Sequence, residues 1–272
     1  MIVHFADPQA IDTWAVHVPQ EARRLAARFW PGPLTIILRK SARVPGIVTG
    51  GQDTVGLRCP SHPVAQALLA EFAKVGSGAV AAPSANKFGH VSPTTAAHVR
   101  DEFGPDLFIL DGGACEVGLE STIVDLSRGR PVLLRPGAIT REDIAHVLGM
   151  QPGQRDADAP RASGTLAAHY APRTALAIVE AAALDVELSR PANIAVLALR
   201  EPPATARVTS WITAPFDASR YAHDLYANLR KLDAAGAKRI VVEAPPTSSP
   251  WEAVNDRLWR AAAGVDPLDD EP

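Results

Sequence analysis

Short apolar runs alternate with amphipathic stretches along this 272-residue sequence. Such runs predict strands, and apolar residues spaced three or four apart predict helices between them. In the first half, we predict strands at residues 2–5, 34–38, 54–58, 79–82, 107–110, 122–126 and 132–134. Helices are predicted at residues 20–29 and around the apolar stripe Val64, Leu68 and Phe72. Two more are predicted from Ser92-Pro93 to about Phe103 and directly after Thr140, which can cap a helix. This alternation predicts an α/β fold with a mixed sheet.

Residues 150–163 interrupt the alternation, because they are polar, rich in turn-forming residues and without periodicity. After Pro172 the pattern resumes. Strands are predicted at residues 175–179, 194–199 and 239–243, and helices at residues 218–232 and 253–263. We therefore predict a first domain at residues 1–150, a linker at 151–174 and a smaller α/β domain at 175–272.

Composition excludes several classes of protein. The 27 basic and 30 acidic residues give a net charge of −3, which argues against bulk disorder and against a general polyanion binder. Cys59 and Cys115 form no CxxC pair, so zinc ribbons are excluded and a reducing cytoplasm is favoured. No apolar run reaches the ~18 residues of a membrane span. Neither common nucleotide fingerprint is present, because the sequence has no Walker loop and no strand-linked GxGxxG. It has no HExxH and its eight histidines are scattered, so we predict no protein-held metal.

Polar residues cluster at the ends of four predicted strands, and each cluster permits an ordinary structural interpretation or an anion-binding one. Thr54, Gly56 and Arg58 share one strand face, which is either a solvated surface or a wall for an anion. A Pro-Ser-Ala-Asn turn leads to Ser92, either a simple helix cap or an anion site. Glycines precede Glu120-Ser121, and Arg135 leaves a strand where it could hold a phosphate. Together the clusters favour an anionic small molecule.

Several motifs resemble the threonylcarbamoyl-AMP synthase family (YrdC-like domain). They are Phe29-Trp30-Pro31-Gly32-Pro33-Leu34-Thr35, Pro83-Ser84-Ala85-Asn86, Ser92-Pro93-Thr94-Thr95, Leu119-Glu120-Ser121-Thr122-Ile123-Val124-Asp125 and Leu134-Arg135-Pro136-Gly137. The linker motif His169-Tyr170-Ala171-Pro172 and the later α/β pattern resemble the longer, two-domain members. The resemblance covers most of the chain and implies a YrdC-like twisted mixed sheet with helices, plus a smaller, Rossmann-like C-terminal domain.

The family condenses L-threonine, bicarbonate and ATP into threonylcarbamoyl-AMP and pyrophosphate, with Mg²⁺ expected on the ATP phosphates. The resemblance therefore implies a cytoplasmic nucleotidyltransferase of tRNA modification. A downstream tRNA threonylcarbamoyl transferase would receive the product, and weak binding of tRNA or other double-stranded RNA is implied. Such adenylation depends on positioning and charge neutralisation, so no general acid or base is assigned.

The resemblance also implies site residues. His4, Arg58, the Ala82 backbone and Ser121 match positions that contact L-threonine. The positions that match ATP contacts are Thr54, Ser84, Ser92, Arg135 and the linker residue Tyr170, which closes over the nucleotide.

The sequence departs from the family at its start. Members carry a further segment before the strand that ends in His4, including a threonine contact and a Lys-x-Arg pair that grips ATP, whereas this chain starts at Met1. The resemblance therefore implies that the full gene product is an active synthase and that the 272-residue form is inactive or weakened. The alternative is a truncated, non-catalytic YrdC-like module that binds a nucleotide or RNA.

Overall fold

A computed structural model describes residues 1–166, 168–189 and 191–264. Its internal contacts divide the chain into two compact units: Met1–Pro83 with Glu120–Thr165, and Ser84–Leu119 with the chain from Leu166 onward. The contacts thus group residues 84–119 with the C-terminal part of the chain, although the sequence places them inside the first half. The predicted domain limits (1–150, 151–174 and 175–272) stay a prediction. Ala167 of the predicted linker, and Arg190 and residues 265–272 of the predicted second domain, lie outside the described residues.

The strands are β1 (Ile2–Phe5), β2 (Leu34–Arg39), β3 (Thr54–Arg58), β4 (Ala79–Ala82), β5 (Thr122–Asp125), β6 (Val132–Arg135), β7 (Gly153–Gln154), β8 (Leu176–Val179), β9 (Ile194–Ala198), β10 (Ser210–Thr213) and β11 (Arg239–Glu243). The helices are α1 (Ile11–Trp14), α2 (Gln20–Phe29), α3 (Gly46–Thr49), α4 (Pro63–Val75), α5 (Ala96–Phe103), α6 (Arg141–Leu148), α7 (Ala181–Leu188), α8 (Ala218–Asp233) and α9 (Glu252–Ala262). Short 3₁₀ turns lie at Pro8–Ala10 and Ser249–Trp251.

The first unit is built on a mixed seven-stranded sheet in the order β4-β1-β3-β2-β5-β6-β7. β1 runs parallel to β3 and antiparallel to β4, while β2 runs antiparallel to β3 and parallel to β5. The predicted mixed sheet is confirmed. Its last strand, β7, lies inside the segment predicted as a linker. Gly153 and Gln154 form this strand by pairing with β6.

The two faces of this sheet differ in chemistry. On one face Val55 and Leu57 of β3 pack into the main core, which also takes Leu25 of α2 and Ile144 of α6. On the other face lie Thr54, Gly56 and Arg58, as the two-residue periodicity predicts. β3 therefore contributes polar residues to the face opposite the helix-covered core, and this face, called the polar face below, also carries the apolar cluster of Ile37, Ile123, Val132 and Leu134.

The second unit contains a four-stranded, all-parallel sheet in the order β10-β9-β11-β8. Ala195 and Leu197 of β9 face a core that includes residues of α8 and α9, whereas the neighbouring Val196 packs with Leu184 and Leu188 of α7 on the other side. Burial on both faces explains why β9 is an unbroken apolar run. This arrangement confirms the predicted Rossmann-like α/β architecture.

Two local predictions are wrong. The apolar residues Leu107, Phe108 and Leu110 form no strand and are 47%, 87% and 54% exposed. Ser92 does not cap α5, because the helix begins four residues later and the Thr95 side chain accepts the capping bond from the His98 amide. Thr95 has the extended backbone that an N-cap requires, and its hydroxyl lies within reach of the first turn.

No helix within the described residues is long and apolar enough to cross a membrane.

Candidate functional site

The polar face of the first unit brings together His4, Arg58 and Ala82. In the parallel register of β1 and β3, His4 lies opposite Arg58 and Ile2 lies opposite Gly56. On the other side of β1, the antiparallel register pairs Ile2 with Ala82. Three of the predicted threonine-binding positions therefore lie on adjacent strands β4, β1 and β3.

Arg58 and His4 have distinct charge states at neutral pH. The Arg58 Nε donates a hydrogen bond to the Gly32 carbonyl at 3.1 Å, which fixes the guanidinium at the end of β3. Burial, and after it the positive charge of Arg58, lower the pKa of His4 from 6.5 to about 4. His4 is therefore a neutral imidazole beside a permanent cation, and it suits hydrogen bonding rather than charge pairing.

Ser121, the fourth predicted threonine-binding residue, belongs to a buried network with Arg135. The Nε and Nη2 atoms of Arg135 donate to the Ser121 carbonyl at 3.1 and 2.9 Å, and Nη2 also donates to Ser121 Oγ at 3.2 Å. The other terminal nitrogen, Nη1, donates to the Ser163 carbonyl at 2.9 Å. Arg135 is 3% exposed. In this structure its guanidinium holds two protein carbonyls, so its predicted contact with ATP stays a prediction.

Thr35 completes this network and was not singled out from the sequence. Its Oγ1 lies 2.7 Å from Ser121 Oγ, and both residues are buried. Thr35 stands inside the apolar run Leu34–Arg39, where every second side chain faces the core. Two signals could have found it: a lone hydroxyl residue interrupts this run, and Thr35 ends the motif that begins at Phe29.

A small cavity of about 40 Å³ lies against this face, lined in part by Thr35, Thr54 and Gly56. The segment 161–163 forms another wall: the Arg161 amide donates to Gln52 Oε1 at 2.7 Å, and the Arg161 side chain donates to the Gly50 carbonyl at 2.8 Å. Thr54, predicted to contact ATP, thus lines the same cavity as Thr35. The residues 161–163 were predicted only as linker sequence.

The second unit contains the remaining predicted ATP contacts. Ser84 is exposed, whereas Ser92 is 5% exposed. Tyr170 has a positive φ of 63° and is 1% exposed. Its ring lies 5.5 Å from the Tyr226 ring, and the Arg257 guanidinium carbon lies 5.3 Å from its centre. Tyr170 is therefore part of the core of its unit in this structure, and its predicted role over the nucleotide stays a prediction.

A metal ion held by the protein requires several ligands grouped around one point. Within the described residues, no three His, Cys, Asp or Glu side chains are grouped so as to hold an ion. The expected Mg²⁺ stays a prediction.

The fold and the site together define a two-unit α/β protein whose mixed sheet carries a cationic, hydroxyl-rich face suited to a small anionic ligand. Residues 1–137 match the Sua5_yciO_yrdC family, described as Telomere recombination, and residues 139–263 match the family described as Threonylcarbamoyl-AMP synthase, C-terminal domain.

Two relatives of the same name extend the match over nearly the whole chain. Threonylcarbamoyl-AMP synthase of Pyrococcus abyssi is 35% identical over 278 residues, covering 96% of this chain and 79% of the relative. The Bacillus subtilis protein of that name is 36% identical over 288 residues, covering 97% of this chain and 79% of its own length. The crystal structure of P. abyssi Sua5 complexed with L-threonine superimposes with a TM-score of 0.86 at 33% identity, covering 96% of this chain and 79% of that one. The chain belongs to the threonylcarbamoyl-AMP synthase family, whose members are enzymes of the nucleotidyltransferase type.

Proposed function

We propose that this chain condenses L-threonine, bicarbonate and ATP into threonylcarbamoyl-AMP and pyrophosphate. The observation that carries the proposal is the polar sheet face on which His4 and Arg58 lie in register, together with the buried Ser121 network. The related P. abyssi protein was crystallised with L-threonine. A permanent cation, a neutral imidazole and a hydroxyl are the groups that an amino acid carboxylate and hydroxyl require.

In this proposal Arg58 pairs with the threonine carboxylate, while His4, Ser121 and the Ala82 backbone complete the threonine site. The proposed ATP contacts are Thr54, Ser84, Ser92, Arg135 and Tyr170. For Arg135 the structure supports an indirect role at the least, because its guanidinium fixes the Ser121 and Ser163 carbonyls. A phosphate contact by Arg135 requires a change of hydrogen-bond partners on nucleotide binding.

The chemistry needs positioning rather than a strong acid or base. The threonine amine takes up bicarbonate with loss of water, and the resulting carboxylate oxygen attacks the ATP α-phosphorus while pyrophosphate leaves. The protein contributes by fixing the threonine carboxylate at Arg58 and by supplying cations to the developing charge. Mg²⁺ is proposed to enter with the ATP phosphates, because no ligand cluster exists for it among the described side chains.

The test is pyrophosphate release, measured with all three substrates and with each omitted in turn, beside calorimetric titrations of ATP and of L-threonine. We expect release that depends on every substrate, and tighter threonine binding when ATP is present. Arg58→Ala should weaken threonine binding more than ATP binding. Equal weakening of both ligands would contradict the role of Arg58, and ligand binding without any pyrophosphate release would favour the non-catalytic module instead.

Transfer of the product to a downstream tRNA threonylcarbamoyl transferase, weak tRNA binding and a cytoplasmic location are parts of the same proposal. No disulfide joins Cys59 and Cys115 within the described residues, which supports a reducing compartment. The formal charge of −3 favours small ligands over tight RNA binding.

A further inference from the structure

We propose that Thr35 is a positioning residue for threonine binding, acting through the hydroxyl of Ser121. This inference rests on the proposed function, since it assumes that Ser121 contacts threonine. Thr35 itself is assigned no contact with the substrate. It lies on β2, next to β5, where its side chain meets Ser121 from the neighbouring strand.

Thr35 and Ser121 together have a limited number of hydrogen-bond donors and acceptors. Arg135 can only donate, so its Nη2 uses one lone pair of Ser121 Oγ at 3.2 Å. The 2.7 Å separation between Thr35 Oγ1 and Ser121 Oγ holds one hydroxyl hydrogen. The pair owns two such hydrogens, so one remains for a ligand. When Thr35 donates, Ser121 accepts two bonds and its own hydrogen is directed toward an acceptor on the substrate.

Burial makes this arrangement fixed rather than optional. Thr35 is 0% and Ser121 2% exposed, so water does not offer either hydroxyl an easy alternative partner. The Ser121 carbonyl is also held twice by Arg135, which prevents the residue from turning away. The bond to Thr35 therefore restricts the directions that the Ser121 hydroxyl hydrogen can take.

Gly56, on the neighbouring strand β3, has no side chain and so leaves room for the Thr35 methyl group. A Cβ built on Gly56 would lie 3.2 Å from Thr35 Cγ2, closer than ordinary side-chain contacts. A methyl group at this position would push Thr35 without removing any hydroxyl. Gly56→Ala is thus a second way to disturb the pair, independent of the Thr35 substitution.

The experiment is calorimetric titration of the full chain with L-threonine and, separately, with ATP. We expect Thr35→Val to raise the Kd for threonine about 3- to 10-fold, the loss of about one hydrogen bond, and to change the Kd for ATP less than about twofold. Thr35→Ser, which restores the hydroxyl without the methyl group, should return the threonine Kd to within about twofold of the original. Gly56→Ala should change the two constants in the same direction as Thr35→Val.

A double-mutant cycle links the effect to Ser121. In a Ser121→Ala background, Thr35→Val should no longer weaken threonine binding, because the hydroxyl that it orients is absent. Melting temperatures and circular dichroism establish that each variant is folded. Thr122→Val, which removes another fully buried hydroxyl from this sheet, is the matched control for stability loss alone.

The outcomes separate this inference from the proposed function. If Ser121→Ala weakens threonine binding and Thr35→Val does not, the inference is overturned and the proposed function stands. Equal weakening of threonine and ATP binding by Thr35→Val, or failure of Thr35→Ser to restore binding, also overturns it. If Ser121→Ala leaves threonine binding unchanged, or the original chain binds no threonine, the assignment of Ser121 fails first.

Discussion

His4 on β1 stands opposite Arg58 on β3 in parallel register, so an imidazole and a guanidinium project from neighbouring strands on the same side of the sheet. The arrangement is unfavourable for a charged histidine. Burial opposes protonation first, and the Arg58 charge adds to that opposition. The pair therefore keeps one permanent cation and one neutral ring over the whole neutral range.

The first prediction concerns the pH dependence of stability. The pKa of His4 is about 4 in the folded chain, against its ordinary 6.5. Between these values the unfolded chain binds a proton that the folded chain does not, so the free energy of unfolding falls as the pH is lowered through that window. The loss amounts to at most about 3 kcal/mol. His4→Gln should flatten this part of the curve in urea unfolding, and an unchanged slope would contradict the lowered pKa of His4.

The second prediction concerns Gly137, in the turn after Arg135. A Cβ at this position would lie 2.6 Å from the Thr122 amide nitrogen and 2.9 Å from the Glu120 carbonyl oxygen. Because those atoms belong to the backbone, they cannot move aside cheaply. Gly137→Ala should therefore lower the free energy of unfolding by about 3 kcal/mol or more.

Gly153→Ala is the matched control for Gly137→Ala. At Gly153 the nearest atoms to an added Cβ are the Pro131 carbonyl oxygen at 3.7 Å and a Val132 methyl carbon at 3.8 Å, which are ordinary contacts. This variant should change stability by less than about 1 kcal/mol in chemical denaturation. Similar losses for the two variants would show that the turn at Gly137 adapts to a side chain.

The third prediction concerns Tyr170. Its ring packs with Tyr226 and beneath Arg257, a fully buried guanidinium whose Nη1 donates to Asp256 at 2.6 Å. Tyr170→Ala removes this ring and should destabilise the chain by about 3–5 kcal/mol. Tyr170→Phe keeps the ring, so it should retain most of the stability and serves as the variant for ATP titration. A stable Tyr170→Ala chain would contradict the buried packing.

The fourth prediction concerns Glu102 in the second unit. Burial raises the pKa of this carboxyl, but bonds from the Lys87 amide and His90, with the charge of Arg230, outweigh burial and leave the pKa below its ordinary 4.5. A depressed carboxyl pKa contributes stability above the unfolded value and loses it as the pH falls through the folded value. Glu102→Gln should thus cost about 1–3 kcal/mol at neutral pH and progressively less in acid, as measured by urea unfolding. A constant cost at every pH would contradict this network.

The sequence correctly predicts the elements in which the spacing of apolar residues by itself determines the buried face. β3 alternates between core and polar face, and α8 carries a continuous apolar stripe, so burial follows from periodicity. The predicted cap Thr140 of α6 is equally local and is confirmed, and it forms a capping box with Asp143.

The errors arise where structure depends on partners elsewhere in the chain. Residues 107–110 have the composition of a buried strand, yet no neighbouring strand pairs with them. The short strand β10 and the helix α7 escaped prediction because SWIT and AAALDVEL carry little periodicity. Likewise, sequence motifs predicted Ser121 and Arg135, but not the Thr35 contact, which exists only because β2 and β5 are adjacent.

The grouping of Ser84–Leu119 with the chain beyond Leu166 has a consequence for the order in which the protein is made. This segment leaves the ribosome before the residues that complete its core, among them Tyr226 and Leu229 of α8, have been synthesised. Val91 and Leu119 share one buried apolar cluster with these α8 residues, so their burial is complete only after α8 has emerged. The first unit therefore has to pair the strands that precede and follow this segment while the core of the segment is still incomplete.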